Sequence, residues 1–226
     1  MNNNVLIREV GLRDGLQMVK SFMPTGTKME WIRRALACGL KEIEVCSFVP
    51  AKLIPQFSDC AEVVAQALAL DRLTVSALVP NLKGAERGMA LGVHKLNYVL
   101  SVSESHNLAN VRRSTAESLE DFQHIVKLAR TRDGLQRTLV AGGLSTAFGC
   151  TLEGQVSEVR VVELAAALVK AGADELIIAD TVGYADPAAV RRVFTAVLAA
   201  VGNIPVAAHF HDTRGLGLAN VLAALE

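Results

Sequence analysis

Two histidines, His209 and His211, stand two residues apart at the end of an apolar run. In an extended strand successive side chains alternate faces, so positions i and i+2 share one, and both imidazoles would be offered to the same bivalent cation. Asp14, shortly after the first apolar run, would add a carboxylate oxygen. Two nitrogens and one oxygen suit Mg2+, Mn2+, Fe2+ or Zn2+, with coordination positions left for substrate oxygens. An H-x-H pattern also has a plainer use, in which one ring makes a structural hydrogen bond and the other faces outward. Glu44 and Asp180, each near the end of another apolar run, favour the cation. Arg13 precedes Asp14. Adjacent opposite charges usually form a solvated ion pair, but a guanidinium at a substrate mouth presents fixed donors that would steady negative charge on an enolate or carbonyl oxygen. Glu44 and Asp180 would then hold Arg13 or the metal ligands from behind. Ion pairs buried in the fold would use the same residues.

Such side chains need a scaffold that gathers strand ends. Short apolar runs at 5–10, 42–46, 73–79, 96–102, 138–144, 176–179 and 206–209 read as seven strands. Several are apolar nearly throughout, as in Leu176-Ile177-Ile178-Ala179, the mark of a parallel sheet covered on both faces. Between them lie segments of helical period. Ile32, Ala35, Leu36 and Gly39 fall at i, i+3, i+4, i+7, as do Phe122, Ile125, Val126, Ala129 and Val161, Leu164, Ala165, Leu168. Thr27 with Glu30 and Ser114 with Glu117 fit capping boxes, and Asp186 before Pro187 fits an N-cap. Gly39, Gly92, Gly172 and Gly202 mark helix ends. Alternating strands and helices with right-handed crossovers leave a doubly wound sheet or a closed barrel. No G-x-G-x-x-G follows a strand, which favours the barrel. The expectation is an α/β fold, a (β/α)8 TIM barrel with about seven strands present. Residues 1–226 would be a single catalytic domain, incomplete at its C-terminal side for want of the eighth strand and its loop. In a barrel the chemistry collects at the C-terminal strand ends, where Arg13, Asp14, Glu44, Asp180, His209 and His211 all fall.

The 23 Lys and Arg cancel 23 Asp and Glu, which argues against a nucleic-acid partner. No run approaches the roughly 18 apolar residues of a membrane span. Residues 1–4 lead into Val5 without a signal- or transit-peptide layout, so a cytoplasmic location is expected. Cys38, Cys46, Cys60 and Cys150 form no C-x-x-C pair, and reduced thiols are expected. Lys52, Asn81, Lys83, Ser101, Ser103, Ser105, His106 and Asn107 read as loop residues after strands two to four. A phosphate-bearing ligand such as coenzyme A would use several of them, and a solvated loop would have the same composition.

In six blocks, and in order, the chain resembles the 3-hydroxy-3-methylglutaryl-CoA lyase family of metal-dependent, aldolase-type TIM barrels. The blocks are Glu9 to Gln17 (EVGLRDGLQ), Ile43 to Val49 (IEVCSFV), Pro80 to Gly84 (PNLKG), Phe148-Gly149-Cys150 with Glu153-Gly154, Asp180 to Gly183 (DTVG) and His209 to Thr213 (HFHDT). The R-D-G and H-x-H-D blocks belong to a wider superfamily that includes condensing synthases, whereas the S-F-V, P-N-L-K-G and G-C blocks tilt towards the lyase. The resemblance implies Mg2+ or Mn2+ on Asp14, His209 and His211, and a catalytic set of Arg13, Glu44, Asp180 and His209. Substrate contacts would come from Gln17, Ser47, Lys52, Asn81, Ser103 and Asn107. It further implies a homodimer acting on an acyl-CoA. A 3-hydroxyacyl thioester bearing a distal carboxylate would be cleaved to acetyl-CoA and a keto acid, acetoacetate, with Arg13 steadying the enolate oxygen. Leu12, Met18 and Val19 depart from the family's usual Pro, Asn and Glu, so the acyl group stays open. The family's further metal ligand, an asparagine, and its catalytic cysteine follow the eighth strand, past Glu226. The alternatives are a synthase condensing acetyl-CoA with a 2-keto acid and a metal-binding barrel without turnover. A non-haem iron oxygenase fits less well, since it needs no neighbouring arginine.

Overall fold

Seven strands lie side by side in chain order in the computed structural model, which describes residues 5–131 and 137–226. They are β1 (Arg8–Glu9), β2 (Glu42–Ser47), β3 (Thr74–Val79), β4 (Lys95–Ser101), β5 (Leu139–Ser145), β6 (Glu175–Asp180) and β7 (Val206–Phe210). The β1–β2, β2–β3, β5–β6 and β6–β7 ladders are parallel. Parallel neighbours need long crossovers, and helices supply them: α1 (Thr25–Ala37), α2 (Cys60–Leu68), α3 (Leu82–Leu91), α4 (Glu104–Val111), α5 (Thr115–Arg130), α6 (Glu158–Lys170), α7 (Pro187–Val201) and α8 (Gly217–Leu225). This is the (β/α)8 barrel pattern carried through seven strands. Every residue of β2 is buried, as expected of a strand covered on both faces.

Two compact units divide the chain, Met1–Asn97 with Ala129–Leu139 and Tyr98–Leu128 with Val140–Glu226. In the first, Met29 and Ile32 of α1 and Val63 and Val64 of α2 are buried together with Ile43, Val45 and Val75 of the strands. In the second, the α6 stripe Val161, Leu164, Ala165 and Leu168 is buried as its spacing requires. Gly142 of β5 lets that helix close in, because a Cβ there would lie 3.0 Å from a Leu168 methyl carbon. Tyr98 is fully buried against Phe122, ring centroids 5.5 Å apart, and its hydroxyl donates to Ser118 O; burial raises its pKa.

Two of the three expected helix starts form. Ser114 and Glu117 exchange bonds reciprocally, Glu117 N donating to Ser114 Oγ and Ser114 N to Glu117 Oε2. Asp186 Oδ1 accepts from Ala188 N and Ala189 N, with Pro187 at the first helical position. The box at Thr27 and Glu30 does not. Pro24 sets an extended entry, its carbonyl takes Thr27 N and Lys28 N, and the helix has begun by Thr25. Glu30 instead pairs with Arg34 one turn on. Gly39, Gly92, Gly172 and Gly202 all have positive φ, the conformation that ends a helix at low cost only for glycine.

Three further expectations are corrected. β1 shrinks to two residues, leaving Val5, Leu6 and Ile7 exposed, and a π-helical turn at residues 11–15 follows it. Residues 104–111 are helical because Ser103 caps them. Cys46 and Cys60 are paired, with Cα atoms 5.9 Å apart, while Cys38 and Cys150 are free thiols. The β2 register shifts between Glu44 and Cys46, and the β2–α2 crossover brings Cys60 back over the strand, a proximity that fourteen residues of spacing conceal.

Candidate metal centre and catalytic arginine

In the first unit, Val10 O accepts from both Arg13 N and Asp14 N, which closes the π-helical turn at 3.0 and 2.7 Å. Gly11 lets the turn pack closely, since a Cβ would meet Glu9 Oε1 at 2.8 Å and the Trp31 ring at 2.9 Å and would have to displace those side chains. Leu12 is fully buried and anchors the turn. Arg13 follows, with its Nε donating to Glu44 Oε2 and its Nη1 to Asp14 Oδ1 at 3.0 Å. Glu44, almost wholly buried on β2, receives Asn97 Nδ2 on its other oxygen at 2.8 Å. Gln17 Nε2 donates to Asp14 Oδ1 at 2.8 Å. Burial alone would lower the Arg13 pKa, but Glu44 and Asp14 outweigh it and hold the guanidinium above its ordinary value. Arg13 is therefore a permanent cation held in one orientation, with the adjacent carboxylate tied to it.

A second network shapes the segment after Gln17. Buried Lys28 donates to Gln56 O and Asp59 Oδ1, both at 2.6 Å. Gln56 in turn donates to Val19 O and Ser21 O and accepts from Met23 N. These bonds build one wall of a cleft of about 250 Å³ lined by Gln17, Met18, Val19, Phe22 and Leu53 among others. Sequence reading missed Lys28 and Gln56. A lysine on the apolar side of α1 was the available signal, because an ammonium is buried only when paired. Ser47 ends β2 and is buried, and Lys52 is exposed in the turn beyond. Asn81 caps α3, with Oδ1 accepting from Gly84 N.

In the second unit, His209 lies in β7 and His211 just past it, their rings edge-on with centroids 5.0 Å apart. Phe210 between them packs on Phe194 of α7 and on Phe148. Strand alternation thus sends Phe210 to the helices and both imidazoles the other way. His211 Nδ1 lies 2.6 Å from Thr181 O. A carbonyl only accepts, so Nδ1 carries a proton, and in the neutral ring Nε2 is the nitrogen that would face an ion. Asp180, 1% exposed, accepts Tyr184 N on Oδ1 and Ala185 N on Oδ2. It orders the loop that presents the Thr181 carbonyl to His211. Ser103 is the α4 cap, accepting from His106 N. Asn107 is fully buried, Oδ1 accepting Ser101 N and Nδ2 donating to Arg113 O and Ser118 Oγ. Its amide is used up within the chain, so the substrate contact expected of it is not carried forward. His106 Nδ1 sits 2.8 Å from Ser101 Oγ; burial depresses its pKa, against an opposing pull from Glu153.

His209 and His211 in the second unit each offer an imidazole nitrogen that could bind a metal ion, and Asp14 in the first offers a carboxylate oxygen. The donor set fits a divalent cation: two imidazole nitrogens, one fixed in tautomer by its carbonyl partner, and one carboxylate.

Strands in sequential order, with charged side chains gathered at their C-terminal ends, define an enzyme of the α/β-barrel class. The chain belongs to the HMGL-like family, whose model matches residues 4–226. It is 40% identical over 225 residues to the hydroxymethylglutaryl-CoA lyase of Bacillus subtilis, covering 98% of this chain and 73% of that one. It is 36% identical to the cytoplasmic 3-hydroxy-3-methylglutaryl-CoA lyase of Homo sapiens, covering 98% of this chain and 59% of that one. A (R)-citramalyl-CoA lyase of Chloroflexus aurantiacus is 37% identical, with 98% and 72% covered. Among solved structures, an HMG-CoA lyase from an Acinetobacter, in complex with coenzyme A and 3-methylmalate, superposes with a TM-score of 0.88 at 39% identity, over 97% of this chain and 70% of that one. No helix among the described residues is long and apolar enough to cross a membrane.

Proposed function

We propose that this protein is a metal-dependent carbon–carbon lyase that cleaves a 3-hydroxy-3-methylglutaryl-CoA-like thioester to acetyl-CoA and acetoacetate. The observation that carries the reading is Arg13 locked between Glu44 and Asp14, on a chain 40% identical to a lyase named for that substrate. Asp14, His209 and His211 would hold Mg2+ or Mn2+, which when bound supplies a Lewis acid that lowers the pKa of a nearby substrate hydroxyl. The reaction removes the hydroxyl proton, turns the carbinol carbon into a ketone and breaks the Cα–Cβ bond. The electron pair passes to Cα and the thioester oxygen. Arg13 presents fixed donors to that oxygen, and its charge needs no reorganisation as the enolate develops. Proton transfer to Cα then yields acetyl-CoA. Glu44 keeps the guanidinium aimed, Thr181 keeps the His211 tautomer, and Asp180 keeps Thr181 in place. His209 completes the catalytic set.

Gln17, Ser47, Lys52, Asn81 and Ser103 remain substrate-binding candidates, of which Gln17 lines the cleft beside Asp14. The reading includes a cytoplasmic homodimer, checked by fractionation and by light scattering. The deciding experiment gives full-length protein Mn2+ with 3-hydroxy-3-methylglutaryl-CoA, citramalyl-CoA, or acetyl-CoA plus a 2-keto acid. Acetyl-CoA and acetoacetate from the first are expected. Citramalyl-CoA is included because a relative named for it is 37% identical. Free coenzyme A released only in the third mixture would sink the lyase in favour of a synthase. Cation binding without turnover on any substrate would leave a metal-binding barrel.

A further inference from the structure

Asn97 stands in the middle of β4 between Leu96 and Tyr98, both fully buried. Asparagine is poorly suited to a strand interior, and burying an amide is costly unless its groups are bonded. Half of this amide is bonded, Nδ2 donating to Glu44 Oε1 at 2.8 Å. Among the described residues the other half, Oδ1, is buried without a hydrogen-bond partner. A valine would fill such a strand position without that penalty. The bond Asn97 does make falls on the carboxylate that holds Arg13, because Oε2 of the same group accepts Arg13 Nε. A carboxylate is planar, and its last torsion is broad and two-fold. Fixing one oxygen therefore fixes the direction in which the other meets the guanidinium. Without the amide, Glu44 would keep its attraction for Arg13 but lose its aim, and fixed-donor catalysis falls steeply with small misplacement.

We infer that Asn97 is a positioning residue, setting the rotation of Glu44 and through it the orientation of the Arg13 guanidinium, without touching substrate. Its kinetic consequence rests on the lyase reading; its geometric consequence does not.

The test is a substitution cycle in the full-length protein: Asn97→Leu, Glu44→Ala and both together, with Asn97→Ser as the second variant should leucine not fold. One readout needs no substrate. The Nε–H resonance of Arg13, identified by its loss in Arg13→Lys, stands apart from those of exposed arginines in wild type and moves towards them in Asn97→Leu. The other is steady-state turnover. Asn97→Leu lowers kcat about tenfold with KM changed less than about twofold, and in the Glu44→Ala background it adds less than about twofold. An unmoved resonance overturns the inference whatever the activity. So does a kinetic effect that multiplies fully with Glu44→Ala, the result for a residue that merely packs. A wild type that cleaves no acyl-CoA overturns the lyase reading, and the resonance then decides the positioning alone.

Discussion

Two charged clusters in the first unit draw on β2, β4 and the start of the chain, yet they are wired in opposite senses. At the strand beginnings, one carboxylate serves two cations: Glu42 pairs with Arg8 at 3.0 Å and with Lys95. Two residues further along, one cation serves two carboxylates, as Arg13 meets Glu44 and Asp14 while β4 contributes the neutral Asn97. Lys95 is sealed in, its side chain 3% exposed, whereas Arg13 and Asp14 keep 12% and 15%. The lower cluster can only tie strands together. The upper one is a held cation with a face left over. In a barrel, the N-terminal face contributes stability and the C-terminal face chemistry, and here that division shows in which partner is shared.

The largest expected effect breaks the upper cluster. Arg13→Lys keeps the charge but loses the fork, and kcat for the proposed carbon–carbon cleavage falls by a factor on the order of 10²–10³. A loss under about fivefold would mean that the arginine is structural. Glu42→Gln should do the reverse. It removes the carboxylate shared by buried Lys95 and half-buried Arg8 and costs about 3 kcal/mol of unfolding free energy, read in urea, while kcat per folded molecule stays within about twofold. A smaller effect sharpens the point: replacing Glu42 and Lys95 together by methionine should return stability to within about 1 kcal/mol of wild type, since a buried pair is often worth no more than apolar residues of its volume. The smallest lies in the second unit at His106. Burial holds its pKa below the ordinary 6.5, so the unfolded chain binds more protons in that range. Its contribution is complete above pH 6.5 and is lost as pH falls through the folded value. His106→Gln should flatten the decline of the urea midpoint between pH 7 and 5; an unchanged slope would contradict the assignment.

Much of this was legible from residue order. Apolar runs marked the seven strands, and His209 and His211 were read as sharing a side, which the packing of Phe210 between Phe194 and Phe148 explains. Local chemistry was legible where it was self-contained, as at Ser114 with Glu117 and Asp186 with Pro187. What escaped depends on partners far along the chain. Asn97 reads as a flaw in an apolar strand until Glu44, fifty-three residues earlier, is seen across from it. Lys28 reads as a surface lysine until Gln56 and Asp59 enclose it. The helix at 104–111 has one buried residue, Asn107, so no apolar stripe announces it. The π-helical turn at 11–15 carries no period of its own in five residues.

Manganese binding to the full-length protein tests the central claim most directly. Titration followed by the electron paramagnetic signal of free Mn2+ should find one tight site per chain. Removing any one ligand, by Asp14→Ala, His209→Ala or His211→Ala, should weaken that site by about a hundredfold or more, since each supplies a direct bond where outer partners alone are worth 10–100-fold. Equal affinity in wild type and all three variants would contradict the account.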